Sequence, residues 1–298
     1  MNSRSIPRSL TALLLAATLL GAAGCVTGTS DNNATVADLL NRNLPDIDAV
    51  KALIDNGQLE AARNDLQQLR AKQPENLEVA FLLGEVSLRL HDPAAALGNY
   101  EAAAALPEKR SVALQGAGIA LLQLGRADEA ATKLQEATAA DASLWRAFNA
   151  LARIYDSRHD WTAAESAYRS AIAASPKQAI LFNNLGMSYL LQHRFDESIA
   201  QFREAITLDP GLKVATTNMR MAYALQGRYV EALAGVPEKD LPDELNNVGY
   251  AAMLRGEYDA ARAYLSRAIE MSPAYHRQAS ANLEQLDGLV SLAAAHAQ

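Results

Sequence analysis

A single cysteine in 298 residues excludes a disulfide framework, a thiolate zinc site and an iron–sulfur cluster. Five histidines leave little material for a histidine-built metal centre. Positive charge is also scarce. The chain has 27 Lys and Arg against 34 Asp and Glu, a net charge of −7, which argues against a protein that holds nucleic acid by neutralising phosphates. Aromatics make up only 6% of the chain. The apolar run Leu10–Leu20 is too short for a spanning helix of about 20 residues. Gly-x-Ser-x-Gly, His-Glu-x-x-His and Gly-rich phosphate loops do not occur. Gly116-Ala117-Gly118 begins like a dinucleotide fingerprint, but it continues into Ile119-Ala120-Leu121 with no strand before it, and reads as close helix packing. These absences point away from an enzyme, a bound cofactor or metal, and a small-molecule substrate.

What is present begins with an address. Arg4 and Arg8 precede the leucine–alanine run, and Gly21-Ala22-Ala23-Gly24 leads to Cys25, the three-part layout of a signal peptide. With the sole cysteine directly after small residues, residues 1–24 resemble the signal of a bacterial lipoprotein, although Ala22 stands where such signals usually carry Leu. That resemblance implies acylation of Cys25 by more than one chain, which makes a stable anchor. Val26 in place of Asp implies the outer membrane of a Gram-negative bacterium, on its periplasmic face. Loss of Arg4 and Arg8 takes the side-chain charge from −7 to −9, so lipid rather than charge must hold the membrane. Residues 25–42, rich in Thr, Ser, Asn and Asp, predict a flexible tether.

From residue 43 onward a 34-residue period organises the chain, with blocks starting at 43, 77, 111, 145, 179 and 213 and a seventh at 242. The twentieth position holds Ala62, Ala96, Ala130, Ala164, Ser198, Ala232 and Ala261. The eighth holds Val50, Gly84, Gly118, Ala152, Gly186, Arg220 and Gly249. Apolar spacing within each block predicts two amphipathic helices, and the small residues let them approach closely. His91, His159 and His193 share the fifteenth position with Gly57, Gly125, Gly227 and Gly256, which marks an inter-helix turn with left-handed backbone rather than a metal site or general base. The step from 213 to 242 is five residues short, and Val236-Pro237 truncates a second helix there.

The block from Trp145 carries Phe148, Leu151, Ala152, Tyr155, Ala164, Tyr168, Ala171 and Pro176; the next carries Phe182, Leu185, Gly186, Tyr189, Phe202, Ala205 and Pro210. At these residues the chain resembles the tetratricopeptide repeat. The resemblance implies an all-α, right-handed superhelical solenoid of about seven helix-turn-helix repeats over residues 43–273, with residues 274–298 as a C-terminal capping helix and tail. It also implies a concave groove for a protein partner, lined here by Asn149, Arg153, Asn183, Met187, Leu190, Thr217, Met221, Asn246, Tyr250 and Met253. Asn amides and adaptable Met side chains suit a hydrophobic helix or extended segment. The lysines of a two-carboxylate clamp are missing from it.

The run Glu244-Leu245-Asn246-Asn247-Val248-Gly249-Tyr250, continuing to Asp259, resembles the TadD lipoproteins of the tight-adherence (Flp) pilus machinery. This implies a pilotin-like scaffold whose partners are a secretin or other pilus-assembly components. A type IV pilus pilotin, or an adaptor for periplasmic peptidoglycan enzymes or a protease, are the alternatives.

Overall fold

The computed structural model describes residues 45–272 and 276–296; Cys25 and the segments expected to form a signal and a tether lie outside them. Among the described residues every regular element is helical. The seven blocks give seven helix pairs: α1 (Ile47–Asp55) with α2 (Leu59–Lys72), α3 (Leu77–Arg89) with α4 (Pro93–Ala103), α5 (Arg110–Gln123) with α6 (Ala127–Ala140), α7 (Trp145–Ser157) with α8 (Trp161–Ala174), α9 (Ala179–Leu191) with α10 (Phe195–Leu208), α11 (Lys213–Leu225) with α12 (Tyr229–Leu233), and α13 (Leu241–Leu254) with α14 (Tyr258–Met271). A last helix, α15 (Arg277–His296), packs on α13 and α14. No helix among the described residues is long and apolar enough to cross a membrane.

The period is legible in what each position touches. The twentieth-position alanines Ala62, Ala96, Ala130, Ala164, Ala232 and Ala261 are fully buried. Ser198 is buried in the same place, where its hydroxyl donates to the Gly186 carbonyl at 2.7 Å, so a polar side chain is accommodated without an unsatisfied group. Opposite the eighth position stands the large residue sixteen places on. A Cβ on Gly118 would lie 2.5 Å from Leu134 Cγ, on Gly186 2.8 Å from the Phe202 ring, and on Gly249 2.7 Å from Leu265 Cγ. These helix pairs are therefore drawn together at a point where only hydrogen fits.

The turn between helices is left-handed at the fifteenth position, with φ of 59° at His91, 57° at His159 and 57° at His193 alongside glycines such as Gly57 at 74°. His159 and His193 set their rings edge-on against Trp161 and Phe195 two residues later. The ends of the array depart from the pattern. α1 starts late, after Asp46, whose carboxylate accepts from the Asp48 amide at 3.3 Å as a helix cap. α15 is capped by His276, whose Nδ1 accepts from the Ala279 amide at 3.2 Å.

The short block is a local rebuilding. α12 has five residues where most second helices have fourteen, and Pro237 and a 3-10 turn at Glu238–Asp240 lead into α13. Its twenty-fourth position, Val236, is no longer on a helix. At the eighth, Arg220 pairs with Glu244 at 3.3 Å, both side chains largely buried.

Gly118→Ala is expected to lose about 1–3 kcal/mol by overpacking against Leu134. Gly98→Ala, exposed in the middle of α4 with open space around it, should gain about 0.5–1 kcal/mol through helix propensity. Urea midpoints of the two variants moving in the same direction would contradict this packing.

Candidate functional site

First helices touch across successive repeats (α3 with α5, α5 with α7, α9 with α11, α11 with α13), so the array closes up on their side and presents a groove there. At 3.6 residues per turn, the second, ninth and thirteenth positions of a first helix fall within about 40° of one another, while the fifth and twelfth lie about 60–80° to one side. This geometry decides which residues face the groove. Ile180, Met187 and Leu191 on α9 are 37%, 38% and 55% exposed, and Val214 on α11 is 47% exposed. Arg146, Arg153 and Ser157 occupy the same three positions on α7, and Tyr250 and Leu254 two of them on α13.

Of the residues expected in the groove, Arg153, Met187, Thr217 and Tyr250 are exposed. Asn149 is half-buried, and Leu190 and Met221 pack partly into the core. Asn183, Asn246 and Met253 are buried, which corrects their placement on an open surface. Helical phase turns the fifth and twelfth positions toward the next first helix, and of the expected residues there only Thr217, in the short block, is exposed. Leu191 and Leu254, one residue further along, were missed for that reason.

The buried asparagines have another task. Asn184 Nδ2 donates to Asn149 Oδ1 at 2.9 Å, Asn218 Nδ2 to Asn183 Oδ1 at 3.0 Å, and Asn282 Nδ2 to Asn246 Oδ1 at 2.8 Å. Asn183 Nδ2 in turn donates to Asn184 Oδ1 at 3.3 Å, which joins the first two links into one chain across α7, α9 and α11. The first two links couple the fifth position of one repeat to the sixth of the next, and the third joins the fifth position of the last repeat to α15. At the short block it gives way: Thr217 stands at the fifth position, and Asn247 donates to Glu244, the partner of Arg220.

Two adjoining recesses mark the centre of the groove. One, of about 600 Å³, is lined by Ile119, Leu122, Trp145, Arg146, Arg153 and Ile180. The other, of about 480 Å³, shares Arg153 and Ser157 with it and adds Asp156, Asn184, Met187 and Leu191. Arg146 lies over the Trp145 ring, 4.5 Å from its centroid. Asp156 accepts from Tyr168 Oη at 2.9 Å and from Ser188 Oγ at 2.6 Å. Burial raises its carboxyl pKa, and the two hydroxyls act in the opposite sense. The Tyr168 hydroxyl is pushed up by burial and by this same carboxylate. Among the described residues no group of three or more His, Cys, Asp or Glu side chains converges as a metal site would require.

A tetratricopeptide-repeat family model matches residues 47–113, 115–179 and 149–213, and a second matches 245–275. The chain is a tetratricopeptide-repeat protein. The break in the matches, between 213 and 245, falls on the block whose second helix is truncated. Among solved structures, the C-terminal part of a tetratricopeptide-repeat protein from Cytophaga hutchinsonii superposes with a TM-score of 0.58 at 16% identity, over 80% of this chain and 99% of that one. A tetratricopeptide-repeat protein from Parabacteroides merdae gives 0.56 at 18% identity, over 80% and 96%. Human IFIT1, as a dimer with m7Gppp-AAAA, gives 0.52 at 19% identity over 78% of this chain and 59% of its own length. At these identities the likeness is one of tetratricopeptide fold alone. No curated protein matches the chain.

Removing an amide from the tetratricopeptide ladder should cost stability. Asn183→Ala breaks links in both directions inside a buried face and is expected to lose about 1–3 kcal/mol, whereas Thr217→Ala, exposed at the equivalent position, should stay within about 0.5 kcal/mol. Equal unfolding midpoints for the two variants would remove the ladder from the account.

Proposed function

We propose that this tetratricopeptide-repeat chain is an outer-membrane-anchored scaffold that assists assembly of a tight-adherence (Flp) pilus secretion apparatus in a pilotin-like manner. It acts by binding protein rather than by catalysis. One observation carries the binding role: an exposed apolar strip of Ile180, Met187, Leu191 and Val214 that crosses two repeats on the groove side, where a folded chain leaves such side chains in water at a cost. The anchor rests on the sole cysteine directly after small residues at the end of a signal-like segment. The pilus assignment rests on the resemblance of the run from Glu244 to Asp259. Part of that run also serves packing, since Glu244 pairs with Arg220, Asn246 with Asn282, and Gly249 fits against Leu265.

Secretin multimers in outer membranes test the assignment. Loss of the protein is expected to lower them at least tenfold, and so is Met187→Glu combined with Leu191→Glu, with unchanged circular dichroism. Cys25→Ser should release the protein into the soluble periplasm and lower the multimers as deletion does. Full multimer levels without the protein would overturn the pilus reading, and co-purification with a peptidoglycan hydrolase or protease would replace it with the adaptor role.

A further inference from the structure

The arginines of the groove specify what kind of segment it takes. Building on the groove as a partner-binding face, we propose that its centre receives a protein segment carrying two carboxylates about 10 Å apart, set among apolar side chains. Arg146 and Arg153 lie seven residues apart on one face of α7, a rise of about 10.5 Å. Neither has a carboxylate within ion-pair distance among the described residues, whereas Arg126, Arg158 and Arg194, on the same and adjoining repeats, each have one: Glu129, Asp128 and Glu165. Asp156, one turn on from Arg153, has its two oxygens engaged by Tyr168 and Ser188. The Trp145 ring supports the Arg146 guanidinium from one side, so less motion is lost when it binds.

The surroundings fix the rest of the chemistry. Ile119 and Leu122 of the preceding repeat and Trp145 of the same helix line the recesses with the pair, as do Ile180, Met187 and Leu191 of the following repeat. A wholly apolar segment laid here would strip water from two guanidiniums and offer no acceptor in return. A basic segment would be repelled. Carboxylates meet the planar donors two bonds at a time, and apolar neighbours cover the strip alongside. The chain as a whole carries −7, so attraction of an acid is confined to this register rather than spread along the molecule.

Selection from a display library of random 16-residue peptides, with the folded protein as bait, tests the proposal. Sequences enriched on the unmodified protein are expected to carry acidic pairs spaced to match the two arginines, among Leu, Ile, Met or aromatic residues. The Arg146→Gln, Arg153→Gln double variant, checked for an unchanged thermal unfolding curve, should lose the acidic preference and keep the apolar one. An enriched peptide should bind about tenfold more tightly than its Glu→Gln twin to the unmodified protein and equally to the variant. Apolar enrichment without acids, or an acidic preference that survives in the variant, overturns the proposal and leaves the groove role standing. Absence of any enrichment overturns both.

Discussion

The structure depends on a missing side chain. In five of the seven repeats the first helix carries a glycine or alanine at its eighth position, with a Tyr, Leu or Phe sixteen residues on in the second helix, packed directly over the glycines. This contact sets the spacing of the pair, the spacing sets which faces are left to stack, and stacking makes one apolar interior out of helices too short to be stable alone. Two repeats depart from it. The first carries Val50 there, and the short block, whose second helix is cut to five residues, carries Arg220, which reaches Glu244 on the next repeat.

The groove follows from that framework. Positions that join neighbouring first helices are committed: the asparagines at the fifth and sixth positions spend their amides on one another. Positions two, nine and thirteen differ in chemistry from one repeat to the next. They run from Val112 and Ile119, which pack partly against the core, through Arg146 and Arg153 to the exposed Ile180, Met187 and Leu191. The positions left to vary are the ones a partner can read.

Much of the fold could be read before any coordinates, because alanine and glycine recurring every 34 residues leave few arrangements open. The turn histidines were legible for the same reason: they share a register with glycines, and all three adopt the left-handed backbone. The groove was legible only in part. Asn183 and Asn246 look like ligand-binding amides when a helix is read alone, and their commitment depends on Asn218 and Asn282 in the following helices, 35 and 36 residues away. Arg220 posed the opposite problem. A charged residue in a small-residue column signals an irregularity, but its partner is supplied by a helix that lies beyond the irregularity.

The apolar interior falls into three clusters. Buried apolar residues from Val50 to Tyr189 form one connected cluster, those around Phe202, Tyr223 and Val248 a second, and those from Leu245 to Leu286 a third. Because a solenoid is coupled only through nearest neighbours, cooperativity is weakest where an interface is thinnest. The second cluster runs across the truncated α12, from Ile199 on α10 to Ala251 on α13, so the short block is bridged by apolar packing. An opening can expose one cluster while its neighbours stay packed.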